Sequence, residues 1–115
     1  MNLKYVIAFV DDMDGAVRFY RDTFGLTLKF QSPWWSEFDT GSTTLALHPS
    51  SATNRAGTMQ LGFHVADMNS FGALLAQQGL QFTRQPQMEH GSLIAEFADR
   101  GGARYSVSAP PVQGS

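Results

Sequence analysis

Cysteine is absent from the 115 residues, which removes disulfides, thiolate metal sites and a cysteine nucleophile together. Charge is sparse, with 8 Lys plus Arg against 10 Asp plus Glu and a formal net charge of -2. The basic residues are scattered, so no footprint for a phosphate backbone or an anionic membrane forms, and neither nucleic acid nor a membrane is expected as a partner. Long apolar runs are missing too. The opening MNLKYVIAFVDD carries only residues 5–10 as an unbroken apolar stretch before its acids, against the roughly 20 residues that span a bilayer. No signal peptide is expected, and the cytoplasm is the expected location. There is no nucleophile elbow: Ser50, Ser51 and Ser92 stand in turn-like contexts, which argues against Ser-His-Asp chemistry. Gly41-Ser42 and Gly101-Gly102 join strand-like stretches rather than opening helices, so they read as hairpin turns and not as phosphate cradles.

What is present, 43% hydrophobic and 16% charged residues in 12.6 kDa, suits one domain spanning residues 1–115 with its own core. Comparing the chain with itself exposes a repeat. Val10-Asp11-Asp12-Met13 recurs as Val65-Ala66-Asp67-Met68, each closing an apolar β-type run and opening a helix. Asp12 and Asp67 suit N-caps, because a carboxylate accepts the orphan N–H groups of a first turn. Val17, Tyr20 and Phe24 make the buried stripe of the first helix and Gly25 its stop; Phe71, Leu74 and Leu75 serve the second, stopped by Gly79. A strand then follows each helix, over 26–31 and 80–85, punctuated by Pro33 and Pro86. Hairpins over 34–48 and 92–108 complete each half. The order βαβββ therefore occurs twice: module one over about 1–48, a linker over 49–57, module two over 58–108 and a frayed tail over 109–115.

This duplicated plan resembles the vicinal-oxygen-chelate superfamily, which includes glyoxalase I, extradiol dioxygenases and bleomycin-binding proteins. Residues 10–20, with Phe19-Tyr20 followed by Phe24-Gly25-Leu26, look like the family's first strand and helix, and residues 40–47 and 99–102 fit as well. The resemblance covers residues 3–108. It implies an α+β fold in which the sheets of two βαβββ modules form a cup-shaped half-barrel with the helices outside. It also places the family's four metal ligands at Tyr5, Ala46, Gln60 and Ser106 of this chain. Of these only Gln60 ligates easily: alanine has no donor, and a neutral phenol or hydroxyl is a poor partner for a divalent cation. No metal or other cofactor is expected at those positions.

Strand alternation then selects candidates for a ligand cavity. Tyr5, Ile7 and Phe9 share one face of the first strand, Gln60 and His64 the matching face of its repeat, and His48 points the same way as Ala46. One of Trp34 and Trp35 lines the cavity, the choice depending on the hairpin loop length. Glu37, His48, Gln60, His64 and Arg104 add polar handles to an apolar trough, the usual composition of a small-molecule site. Nine Phe, three Tyr and two Trp suggest that the ligand is flat. The expectation is a homodimeric binder, similar to bleomycin-resistance proteins, of a planar or aromatic antibiotic or metabolite, with no catalytic residue. The alternative is a divalent-metal lyase or dioxygenase with ligands relocated to His48, His64, Glu37 or Gln60.

Overall fold

The computed structural model describes residues 1–112. Part of the expected frayed tail, residues 113–115, lies outside the described residues. Contacts divide the chain into two compact units, Lys4–Gln60 and Leu61 onward with Met1–Leu3. Each holds the expected βαβββ order. In the N-terminal half β1 (Asn2–Val10, all but its first two residues in the first unit), α1 (Met13–Phe24), β2 (Thr27–Phe30), β3 (Ser36–Asp39) and β4 (Thr44–Pro49) follow in sequence; in the C-terminal half β5 (Met59–His64, whose first two residues still belong to the first unit), α2 (Met68–Gln77), β6 (Phe82–Glu89), β7 (Ser92–Ala98) and β8 (Arg104–Ala109) repeat them. The strand order is β2-β3-β4-β1 in one unit and β6-β7-β8-β5 in the other. β1 runs parallel to β4 and β5 parallel to β8, while the other neighbours are antiparallel.

Each helix starts where its aspartate satisfies first-turn N–H groups. Asp12 Oδ1 accepts from Gly15 N at 3.0 Å, and Asp67 Oδ1 from Asn69 N at 3.2 Å. A side chain at Gly15 would place its Cβ 2.4 Å from Asp12 Oδ2, so the capping carboxylate would have to move to admit it. The linker is held by backbone bonds rather than periodicity: Gly57 N donates to Phe9 O and Phe9 N to Thr58 O.

Alternation separates two faces in the N-terminal unit. On one, Ala8, Phe38 and Leu47 of the sheet bury Val17 of α1, with Met13, Tyr20, Leu28 and Leu45 packed around them. The C-terminal unit builds the same layer from Val65, Met68, Phe71, Leu75, Ala95, Val107 and Ala109.

Four expectations need correction. Phe24 is 60% exposed and Leu74 48%; helical spacing reports a face and not how far the sheet beneath it extends, and Phe24 rests on the rings of Phe19 and Tyr20 instead. Pro86 does not end β6, which runs to Glu89, because β6 is the last strand of its unit's ladder and its register shifts between Arg84 and Gln87, where a missing N–H is tolerated. The third strand starts at Ser36 rather than 34, since Ser32 Oγ accepts from the N–H groups of both Trp34 and Trp35 and folds them into a turn.

Asp99 closes the β7–β8 turn. Its Oδ1 accepts from Gly101 N and Ala103 N and its Oδ2 from the Tyr105 hydroxyl at 2.8 Å. The Tyr105 bond first, then the Ala103 N–H, hold the Asp99 carboxyl below its ordinary value. A depressed folded-state value means stability that is present above the unfolded carboxylate range and lost as pH falls through the folded value. Thermal unfolding against pH should therefore show a smaller acid-side loss for Asp99→Asn than for the parent, with a lower Tm at neutral pH. Phe38, fully buried, sets the core: Phe38→Ala should cost about 3–5 kcal/mol in chemical denaturation.

Candidate functional site

The helix-free face of the N-terminal unit is also apolar, which an ordinary solvent-facing sheet surface is not. Ile7, Phe9 and Ala46 are buried there, with Tyr5 and Trp35 packed against them. The parallel register sets Tyr5 beside Thr44, Ile7 beside Ala46 and Phe9 beside His48, and Glu37 of β3 stands opposite Ala46. Tyr5, Ile7, Phe9, Trp35, Glu37 and His48 thus gather on one surface.

Trp35 is the centre of this group. Its ring meets Tyr5 edge-on at 5.4 Å and His48 at 6.2 Å, while His48 meets Phe9 at 5.7 Å. Its Nε1 donates to Glu37 Oε2 at 2.7 Å, a charge-assisted bond that fixes the indole plane. Lys29 Nζ lies 3.8 Å from Glu37 Oε1 and donates to Thr44 Oγ1 at 3.0 Å. Burial, and then the Glu37 carboxylate, hold the Tyr5 phenol above its ordinary value, so it remains a donor. His48 Nδ1 lies 2.8 Å from the Pro49 carbonyl. A carbonyl only accepts, so Nδ1 carries the proton and Nε2 of the neutral ring is an acceptor.

Trp34 is 75% exposed and stands outside this group, so the turn at Ser32 decides between the two tryptophans. The remaining candidates lie on β5 and β8. Gln60 is 7% exposed, and its Nε2 has no hydrogen-bond partner. His64 Nδ1 lies 3.0 Å from Ser108 Oγ, and Arg104 is the first residue of β8, opposite Ala98. Sequence reasoning missed Lys29, Thr44 and Ser108. Alternation around Leu28 and Ala46 would have put Lys29 and Thr44 on the aromatic face; Ser108 needed the β5–β8 register, which no local pattern carries.

On the helix side, a recess of about 310 Å³ opens between α1 and residues 56–59, lined among others by Ala8, Gly15, Phe19 and Met59. Asp11 and Asp12 both line it, and the Asp12 carboxylate is occupied in capping.

The donor sets do not fit a divalent cation. The family-pattern positions hold Tyr5 and Ala46 in the N-terminal unit, and Gln60 and Ser106 on β5 and β8. Glu37 is already engaged by Trp35 and Lys29, and among the described residues no three His, Asp or Glu side chains come together as a cation would need.

A family model described as the Glyoxalase/Bleomycin resistance protein/Dioxygenase superfamily matches residues 2–107. Among solved structures, a hypothetical protein, BH1468, from Bacillus halodurans superposes with a TM-score of 0.79 at 14% identity, covering 99% of this chain and 97% of that one. Methylmalonyl-CoA epimerase from Streptomyces coelicolor gives 0.77 at 18% identity, covering 100% and 98%. A glyoxalase/bleomycin resistance protein/dioxygenase superfamily member from Vibrio splendidus gives 0.70 at 10%, covering 94% and 99%. At these identities the likeness is one of fold. No curated protein sequence matches the chain. No helix among the described residues is long and apolar enough to cross a membrane.

The donor inventory makes a direct prediction. Mg²⁺, Mn²⁺, Fe²⁺, Ni²⁺ and Zn²⁺ should each leave Tm within about 1 °C of the chelated protein in a thermal-shift titration, because a bound ion would stabilise by mass action.

Proposed function

The chain belongs to the Glyoxalase/Bleomycin resistance protein/Dioxygenase superfamily, and from that premise we propose that it binds a small planar or aromatic ligand, an antibiotic or metabolite, on the Trp35 face without the family's metal. The observation that carries this reading is the fixed indole. Trp35 is held by an aromatic edge from Tyr5 and by its bond to Glu37, so the ring is set before any ligand arrives and little side-chain entropy is lost on binding. Stacking supplies about 0.5–1.5 kcal/mol beyond apolar burial, and the Tyr5 donor and the His48 Nε2 acceptor orient the ligand's edge. Sequestration of this kind needs no bond to be made or broken. A metal-dependent lyase or dioxygenase would need three or more donors around one cation, which neither the family-pattern positions nor Glu37 and His48 supply.

Tryptophan fluorescence separates the two indoles. In titrations with planar antibiotics and flavins, Trp35→Phe should remove most of the quenching and weaken Kd by about tenfold, equivalent to about 1.4 kcal/mol. Trp34→Phe should leave Kd within about twofold, since its ring is in solvent. Absence of quenching across the panel, or the opposite ranking of the two variants, would remove the proposal.

A further inference from the structure

The recess between α1 and residues 56–59 lies wholly within the Lys4–Gln60 unit, on the helix side of the sheet. Ala8, Gly15 and Ala16 line it and bring little side-chain bulk, which leaves the space open. Its other wall is fixed by backbone pairing, because Gly57 N donates to Phe9 O and Phe9 N to Thr58 O. A volume of about 310 Å³ stands at the small end of the range for ligand sites, about 300–1,000 Å³, and suits one ring with a short chain.

The side chains around this space select by charge. Phe19 and Met59, both in its lining, are 51% and 62% exposed, so apolar surface stands ready for a partner. Phe19 meets Tyr20 edge-on at 5.3 Å, which sets two rings at a steep angle along the α1 wall. The ionisable side chains of the lining are Asp11, Asp12 and Tyr20, with no Lys, Arg or His among them. Asp12 Oδ1 is taken by Gly15 N. Asp11 is exposed and has neither a hydrogen bond nor an ion pair among the described residues. Nearby backbone groups are engaged, Ala16 N with Asp12 O and Val10 O with Ser50 N. The unanswered charge at the recess is therefore negative.

We infer that this recess is a second binding site, for a small organic cation of the arylalkylammonium class, with the ammonium at the Asp11 carboxylate and the apolar part against Phe19, Tyr20 and Met59. Aromatic faces attract a cation through the ring quadrupole, and the carboxylate adds Coulombic attraction. An anion of the same shape would meet two carboxylates and no cation, and a neutral ligand would leave Asp11 unanswered. This site is separate from stacking on Trp35, and either can fail without the other.

The ¹⁵N-edited NMR spectrum tests it through the backbone amide peaks of Gly15, Gly57 and Thr58. Phenethylammonium is the probe, with phenethyl alcohol as its neutral counterpart and hydrocinnamate as its anionic one. The expected result is a saturable shift of these peaks with the ammonium at millimolar concentration, binding of the alcohol weaker by about threefold or more, and no shift with hydrocinnamate. Asp11→Asn keeps the size and removes the charge at an exposed position, so it should leave Tm unchanged and weaken the ammonium by about threefold. Phe19→Leu, which keeps the apolar bulk and removes the ring, should weaken it by a similar factor, whereas Trp35→Phe should leave its affinity unchanged. Unmoved peaks with the ammonium, equal affinity for the alcohol, unchanged affinity in Asp11→Asn, or loss of the shifts in Trp35→Phe would each overturn the inference.

Discussion

The parallel pairing of β1 with β4 is the constraint on which the N-terminal unit depends. It brings two strands together that are apolar on both faces, so the sheet they form cannot leave either face bare without cost. Ala8 and Leu47 turn to α1 and close the core with Phe38 and Val17. Ile7, Phe9 and Ala46 turn the other way, and α1 cannot reach them. The aromatic surface follows from that second row. A tyrosine at one end and a histidine at the other are brought into the reach of a single indole because the register sets Tyr5 beside Thr44 and Phe9 beside His48.

The polar groups on this surface are already engaged by their neighbours. Glu37 spends its two oxygens on Trp35 and Lys29, and His48 spends Nδ1 on a carbonyl. Such commitments leave few lone pairs for a cation but hold the rings still, which is what an apolar ligand requires of its site. The family frame is known for metal chemistry, yet the fold does not carry that chemistry by itself; the donors do. Residue 46 offers a methyl and residue 106 a hydroxymethyl where relatives place metal donors.

Much of the fold was legible in the sequence, because the repeat of Asp-Met helix openings and the period-two alternation are local properties. The N-caps at Asp12 and Asp67, the βαβββ order and the shared face of Tyr5, Ile7 and Phe9 all follow from them. The candidate site was legible in part. His48 and Glu37 were placed by alternation, whereas Lys29 and Thr44 were overlooked on the same grounds that would have found them. The exposed Phe24 and Leu74 show the limit of helical periodicity, which gives the direction of a side chain but not whether anything stands opposite it. Pro86 shows another, since a missing N–H is harmless only where no partner strand needs it.

By itself the sequence determined the class of structure, the duplication and the poverty of metal donors, since these depend on residue identity and short-range spacing. Tertiary structure alone decided that Trp35 and not Trp34 joins the aromatic face, that Ser108 meets His64, and that the Gln60 amide is buried without an acceptor. Each of those outcomes depends on a turn geometry or on the register between strands distant along the chain. Such contacts are set by how the two faces of a sheet are covered, and no window of neighbouring residues contains that information.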